Sequence, residues 1–185
     1  VAEQAYDPAV GTPRVRLPAF AAVFRLRRPA EFGEVAEEAW QKALGLVNFT
    51  RGQKAEPGLI LDRASRGDTK FTVASFRSPK EMDTKDVPIR FNFRPSLARV
   101  GEYLVMSSTD GLAADLIGAL EKESASPAKA VPETDSLLEI DGARLLSILR
   151  ANRENLVLQK MREKGHDREQ AEGELGVLLA LLGWG

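Results

Sequence analysis

The sequence predicts an α+β fold: a mostly antiparallel sheet of five or six strands with helices packed on one face, plus a C-terminal helical pair. Three observations carry this. Short segments place apolar residues at every second position and are joined by glycine turns. Longer segments repeat their apolar residues at helical spacing and carry capping residues at their ends. Apolar residues make up 43% and charged residues 29% of the 185, the composition of a packed domain and not of a disordered chain.

The elements follow in order. Residues 19–27 (AFAAVFRLR) alternate as a strand, with Phe20, Ala22, Phe24 and Leu26 on the expected inner face. Pro29 sits where a first helical turn tolerates it. Phe32, Val35, Ala36, Ala39, Trp40, Ala43, Leu44 and Val47 then recur at helical spacing, which predicts a helix over about 30–49. Glu31, Glu34, Glu37 and Glu38 fall near its start, where the macrodipole favours anions.

Strands are predicted at 59–63 and 70–76, flanking a hairpin turn that contains Gly67. Residues 77–88 carry two prolines and many charges and read as an exposed loop. IRFNFR (89–94) alternates as a strand, with Ile89, Phe91 and Phe93 inward and Arg90, Asn92 and Arg94 outward. Gly101-Glu102 joins the next two strands, with glycine at the first central position that a II′ turn requires. Thr109-Asp110 caps a helix over about 110–122. The expected core includes Phe24, Trp40, Leu44, Phe91, Leu104 and Leu116.

These elements form an expected domain over 1–123, opened by a disordered or extended N-terminal arm. Residues 124–134 (SASPAKAVPET) read as a linker. Residues 135–185 read as a strand at 136–140 and two helices, docked on the first part or starting a second unit. The first helix is expected to run to Lys164 with Gly165 as its C-cap. The second covers 168–182 behind an Asp167/Gln170 capping box. About 50 residues without a disulfide or metal bury too little to fold alone. The chain starts at Val1 and stops on an apolar run, so a fragment of a longer protein is expected.

Composition narrows function mainly by exclusion. The chain has no cysteine, so disulfides, thiolate nucleophiles and cysteine-ligated metals are excluded. His166 is the single histidine, which rules out histidine triads and histidine-rich metal sites. Its neighbours Gly165 and Asp167 mark it as a turn residue. Lys plus Arg number 26 against 27 Asp plus Glu, so no net field recruits nucleic acid, and no nucleic-acid partner is expected. The longest apolar run is too short to span a bilayer.

Two short motifs have plainer structural accounts. Ser65-Arg66-Gly67-Asp68-Thr69 contains the tripeptide that integrins read, in the composition of a hairpin turn. Asn48-Phe49-Thr50 matches the glycosylation sequon at a helix end. No Walker loop, HExxH, EF-hand loop or GxSxG appears, so no catalytic residue, metal site or cofactor is expected.

The best polar cluster is basic. Arg25 and Arg27 share one face of the first strand, and Arg90 and Arg94 share the outward face of the strand expected at 89–94. In one sheet the four guanidiniums would line a surface suited to carboxylate or phosphate. The plainer account is a solvated sheet face whose charges pair with nearby acids.

Two stretches, RVGEYLVMSSTDGLAADLIGAL and LLEIDGARLLSIL, resemble segments of large exported bacterial proteins that share a domain of unknown function and are common in planctomycete-like bacteria. The resemblance covers 19–149. It implies an extracytoplasmic (periplasmic or secreted) protein built from repeated α+β units, and it transfers no active-site residue. A cytoplasmic location is the alternative. The reading that follows is a non-enzymatic binding or structural module with a protein partner or self-association. The alternative is an enzyme or small-molecule carrier with a site between sheet and helices.

Overall fold

The computed structural model describes residues 4, 6–77, 86–125 and 142–183. The chain divides into two compact units, one of Val1–Arg14 with Ala19–Lys129 and one of Val15–Pro18 with Ala130–Gly185.

The first unit is the α+β fold. Its elements are β1 (Ala21–Arg25), α1 (Pro29–Gln53), β2 (Leu59–Arg66), β3 (Thr69–Phe76), β4 (Ser96–Val100), β5 (Tyr103–Ser107) and α2 (Asp110–Ala125). The strands form one antiparallel sheet in the order β1-β5-β4-β3-β2, with β1 and β2 at its edges. Both hairpins turn in two residues. Gly67 and Gly101 each hold φ +56° at the first central position, where a side chain would be strained. The tripeptide Arg66-Gly67-Asp68 is therefore the end of β2 and its turn.

One face of the sheet and α2 make the core. Phe71, Val73, Ala98, Val100 and Val105 meet Ala113, Ile117 and Leu120 there, all buried. Thr109 caps α2 by accepting the Leu112 N–H at 3.3 Å. Helix α1 lies over the side of β4 that carries Arg99. Gly33 is buried in this contact, and a Cβ built there would stand 2.6 Å from Arg99 Nη1.

Three expectations need correction. Residues 89–94 do not form a strand: Ile89–Asn92 make one 3₁₀ turn. Pro88 and Pro95 remove ladder donors at both ends. The Asn92 side chain turns back to donate to the Ile89 carbonyl at 2.9 Å. Asn92, expected outward, is 1% exposed, and Ile89, expected inward, is exposed.

The second correction concerns the apolar faces of β1 and α1. Phe20 and Phe24 are about half exposed, because β1 is an edge strand and its side chains border solvent. Helix α1 touches the protein along a narrow stripe, Gly33, Ala36, Trp40, Leu44 and Asn48. Phe32, Val35, Ala39, Ala43, Leu46 and Val47 remain exposed. Of the expected core, Leu44 and Leu104 are buried, while Trp40, Phe91 and Leu116 are partly so.

Third, the helix expected up to Lys164 is two helices, α3 (Gly142–Ala151) and α4 (Arg153–Lys164), separated at Asn152. They belong to the second unit with α5 (Arg168–Leu182). Leu146, Val157, Ala171, Leu175 and Leu179 form its core. Gly165 ends α4 at φ +67°, and Asp167 with Gln170 makes the capping box of α5. The strand expected at 136–140 and most of the linker expected at 124–134 lie outside the described residues. Ser124 and Ala125, expected in that linker, are the last residues of α2.

Candidate functional site

An apolar concavity lies where the chain leaves the edge strand and enters α1. Pro29 starts the helix at once, three residues after Leu26, so helix and strand end face each other across a short corner. Arg25, Leu26, Arg27, Arg28, Glu31, Phe32 and Val35 line an open groove of about 490 Å³. Leu26, Phe32 and Val35 supply its apolar surface, and three guanidiniums its charge. Among the described residues β1 has a neighbour on one side alone, and its last residue, Arg25, lines this groove.

The charges are partly matched. Arg25 Nε meets the Glu102 carboxylate at 3.0 Å, and that hydrogen bond and charge raise its already high pKa. Arg28 meets Glu31 at 3.5 Å, one helical turn on. Both pairs are exposed and contribute little stability.

The structure brings Arg25 and Arg27 together on this groove and places Arg90 and Arg94 elsewhere. Arg90 lies in the 3₁₀ turn with its guanidinium 5.1 Å from the Phe91 ring centre. Arg94 pairs with Asp110 at 3.0 Å, and its N–H donates to the Ser108 carbonyl. The Ser108 N–H in turn donates to the Phe20 carbonyl, so Arg94 sits level with the start of β1. Arg25 sits at the end of β1, roughly 16 Å away along the strand at its ordinary rise. The sheet face that would have aligned the four arginines required a strand at 89–94.

A second, more polar cleft of about 420 Å³ opens beside the start of α2, between Tyr6, Asp7, Arg94, Thr109, Asp110 and Asp115. Its groups have structural duties. Tyr6 donates to Asn92 Oδ1 at 2.8 Å. The Asp7 carboxylate accepts the Ala9 N–H, and its carbonyl accepts the N–H groups of Val10 and Gly11. Arg94 and Asp110 hold each other. Among the described residues no three His, Asp or Glu side chains gather as a metal site, and no helix is long and apolar enough to cross a membrane.

Comparison of the chain with protein-family models, with curated proteins and with solved structures finds no match.

The geometry marks Phe32 and Val35, whose helical spacing pointed to the core, and Leu46 and Phe49, which the sequence reading did not single out. Phe32, Val35, Leu46 and Phe49 are 50%, 57%, 66% and 63% exposed and follow one another along α1. Phe32 and Val35 fall at the spacing of a buried stripe. The one signal that distinguished them was the second stripe of small and apolar residues, Gly33, Ala36, Trp40 and Leu44, at the same period. A helix with two stripes has a face to spare.

Proposed function

We propose that this chain is a non-enzymatic binding or structural module of an exported bacterial protein, and that the outer face of α1 with its groove against β1 is the binding surface. The observation that carries the reading is the row of large apolar side chains left in water along α1. Isolated exposed apolar residues are ordinary, but two pairs of large ones on one side of a single helix, Phe32 with Val35 and Leu46 with Phe49, favour an interaction surface. The resemblance of 19–149 to exported bacterial proteins supports the compartment. Arg25 and Arg27 at the mouth of the groove fit an anionic group at the edge of that surface.

The test is selection of displayed random dodecapeptides on the whole chain and on Val35→Glu, a surface change that leaves the core untouched. Peptides that bind the native chain at micromolar Kd and lose at least tenfold on Val35→Glu support the reading. A selected set indifferent to Val35 and Leu46 overturns it. Fractionation of source cells addresses the compartment, with a cytosolic chain sinking the exported half of the proposal.

A further inference from the structure

We propose that the partner is an extended polypeptide segment that adds to the free edge of β1 as a further strand, with an acidic side chain where it passes Arg27. The inference rests on the reading of the groove as a binding surface and moves from its helix side to its strand side.

The edge is defined by the backbone groups that the sheet leaves unused. Leu26 donates its N–H to the Glu102 carbonyl at 2.7 Å, and the Phe20 carbonyl accepts the Ser108 N–H at 2.8 Å. Successive residues of a strand direct their backbone groups to opposite sides, and Ala21–Arg25 pairs with β5 in unbroken register. The even-numbered residues therefore bond to β5, while Ala21, Val23 and Arg25 turn their N–H and C=O groups outward. Among the described residues none of those outward groups has a partner. A row of alternating donors and acceptors at strand spacing matches the backbone of another extended chain.

The opposite edge of the sheet is closed. The Leu59 N–H and C=O at the start of β2 are both taken by the Asn48 carboxamide, at 2.6 and 2.9 Å. Further along, β2 carries Asp62, Arg63 and Arg66, charges of the kind that keep an edge from pairing. Among the described residues β1 has neither device. No side chain caps its outward groups, its register holds no bulge, and Ala21, Ala22, Val23 and Phe24 precede its first charge. Val23 and Phe24, on opposite faces of the sheet, are 41% and 49% exposed, so apolar surface flanks the edge on both sides.

Charge decides between a different polypeptide and a second β1. Arg25 is matched by Glu102 and Arg28 by Glu31. Arg27, exposed and lining the groove, has no ion-pair partner among the described residues. Residues 19–30 contain no acid, so β1 of another copy offers Arg27 no carboxylate. The segment that fits is apolar opposite Phe24, where Phe24 and Leu26 continue one face toward the groove. It carries aspartate or glutamate where it passes Arg27.

Selection of displayed random dodecapeptides on the whole chain, compared with Val23→Pro and Arg27→Glu, tests the pairing. An edge strand tolerates proline where its N–H faces out, so Val23→Pro should keep the fold while removing the central donor. The expected set alternates apolar and polar residues, ends in aspartate or glutamate, and loses at least tenfold in affinity on each variant. For a resynthesised binder, methylating alternate backbone nitrogens should abolish binding in one register and spare it in the other, because only alternate amides face the neighbouring strand. On the native chain, the peptide should protect the Ala21, Val23 and Arg25 amides from hydrogen exchange, a readout that needs no variant to fold. Equal effects of methylation in the two registers, or no protection at those three amides, overturn the proposal. So does dimerisation of the chain that is lost on Val23→Pro, which would make a second copy the occupant. Peptides that need Val35 yet ignore Val23→Pro remove this inference alone and keep α1 as a binding surface. Peptides indifferent to both positions remove the two readings together.

Discussion

Asn152 holds the backbone of Arg16 from both sides: its Nδ2 donates to the Arg16 carbonyl at 2.6 Å and its Oδ1 accepts the Arg16 N–H at 2.9 Å. The same amide nitrogen reaches the Ile148 carbonyl at 3.0 Å, at the point where α3 stops and α4 starts. One side chain thus sits at a helix break and fastens residues 15–18 into the second unit. Asn152→Ala should strip protection from the Arg16 amide in hydrogen exchange and cost about 1 kcal/mol, since the bonds are exposed. Unchanged Arg16 exchange would show that other contacts hold the segment.

Asn48 uses the same device in the first unit. Its carboxamide donates to the Leu59 carbonyl at 2.9 Å and accepts the Leu59 N–H at 2.6 Å, so the nitrogen of the sequon is engaged. The approach is close enough that a Cβ at Gly58 would stand 2.8 Å from Asn48 Oδ1. Asn48→Ala should cost about 1–2 kcal/mol in urea unfolding. Gly58→Ala should cost a similar amount in the native background and much less beside Asn48→Ala. Additive costs would break the proposed link.

Gly33 and Arg99 give a coupling of the opposite kind. Alanine normally strengthens a helix interior by about 1 kcal/mol over glycine. Here the added Cβ meets Arg99 Nη1 at 2.6 Å and Cδ at 2.8 Å. Gly33→Ala should therefore destabilise the native chain yet stabilise Arg99→Ala. A double-mutant cycle with no coupling would mean that Arg99 simply swings away.

Acid should act on the second unit through Glu174. It accepts from Lys160 Nζ at 2.6 Å and Lys164 Nζ at 3.0 Å, and His166 Nδ1 lies 3.5 Å from its other oxygen. The two lysine hydrogen bonds lower its pKa to about 2. A depressed folded pKa stabilises above the unfolded value near 4.5 and loses that contribution as pH falls toward 2. Glu174→Gln should flatten the acid limb of the melting profile between about pH 5 and 2. An unchanged limb would assign acid sensitivity to other carboxylates.

Arg25 and Arg27 make the last prediction. If they form an anion-binding edge of the groove, sulfate should raise Tm beyond chloride of equal ionic strength, and Arg27→Ala should abolish the difference. Equal shifts for both salts in the native chain would leave the pair as solvated charge.

Much of this molecule follows from local chemistry that the chain carries in short windows. Gly67 and Gly101 dictate their turns because only glycine takes φ +56° there without strain. Pro29 starts α1, and Asp167 with Gln170 starts α5, because each satisfies or dispenses with a free amide at a helix end. Such features need no distant partner, so both hairpins, α1, α2 and α5 were legible, while the break between α3 and α4 was not. Tertiary structure decided what distant partners decide. IRFNFR alternates like a strand, but Pro88, Pro95 and the Tyr6–Asn92 hydrogen bond make it a turn. The backbone of Arg16, far away in sequence, is bound at the break between α3 and α4. Above all, helical spacing reports that Phe32 and Val35 are apolar and share a side, and says nothing of whether anything covers them. Burial belongs to pairs of surfaces, and a single stretch of sequence contains one of the two.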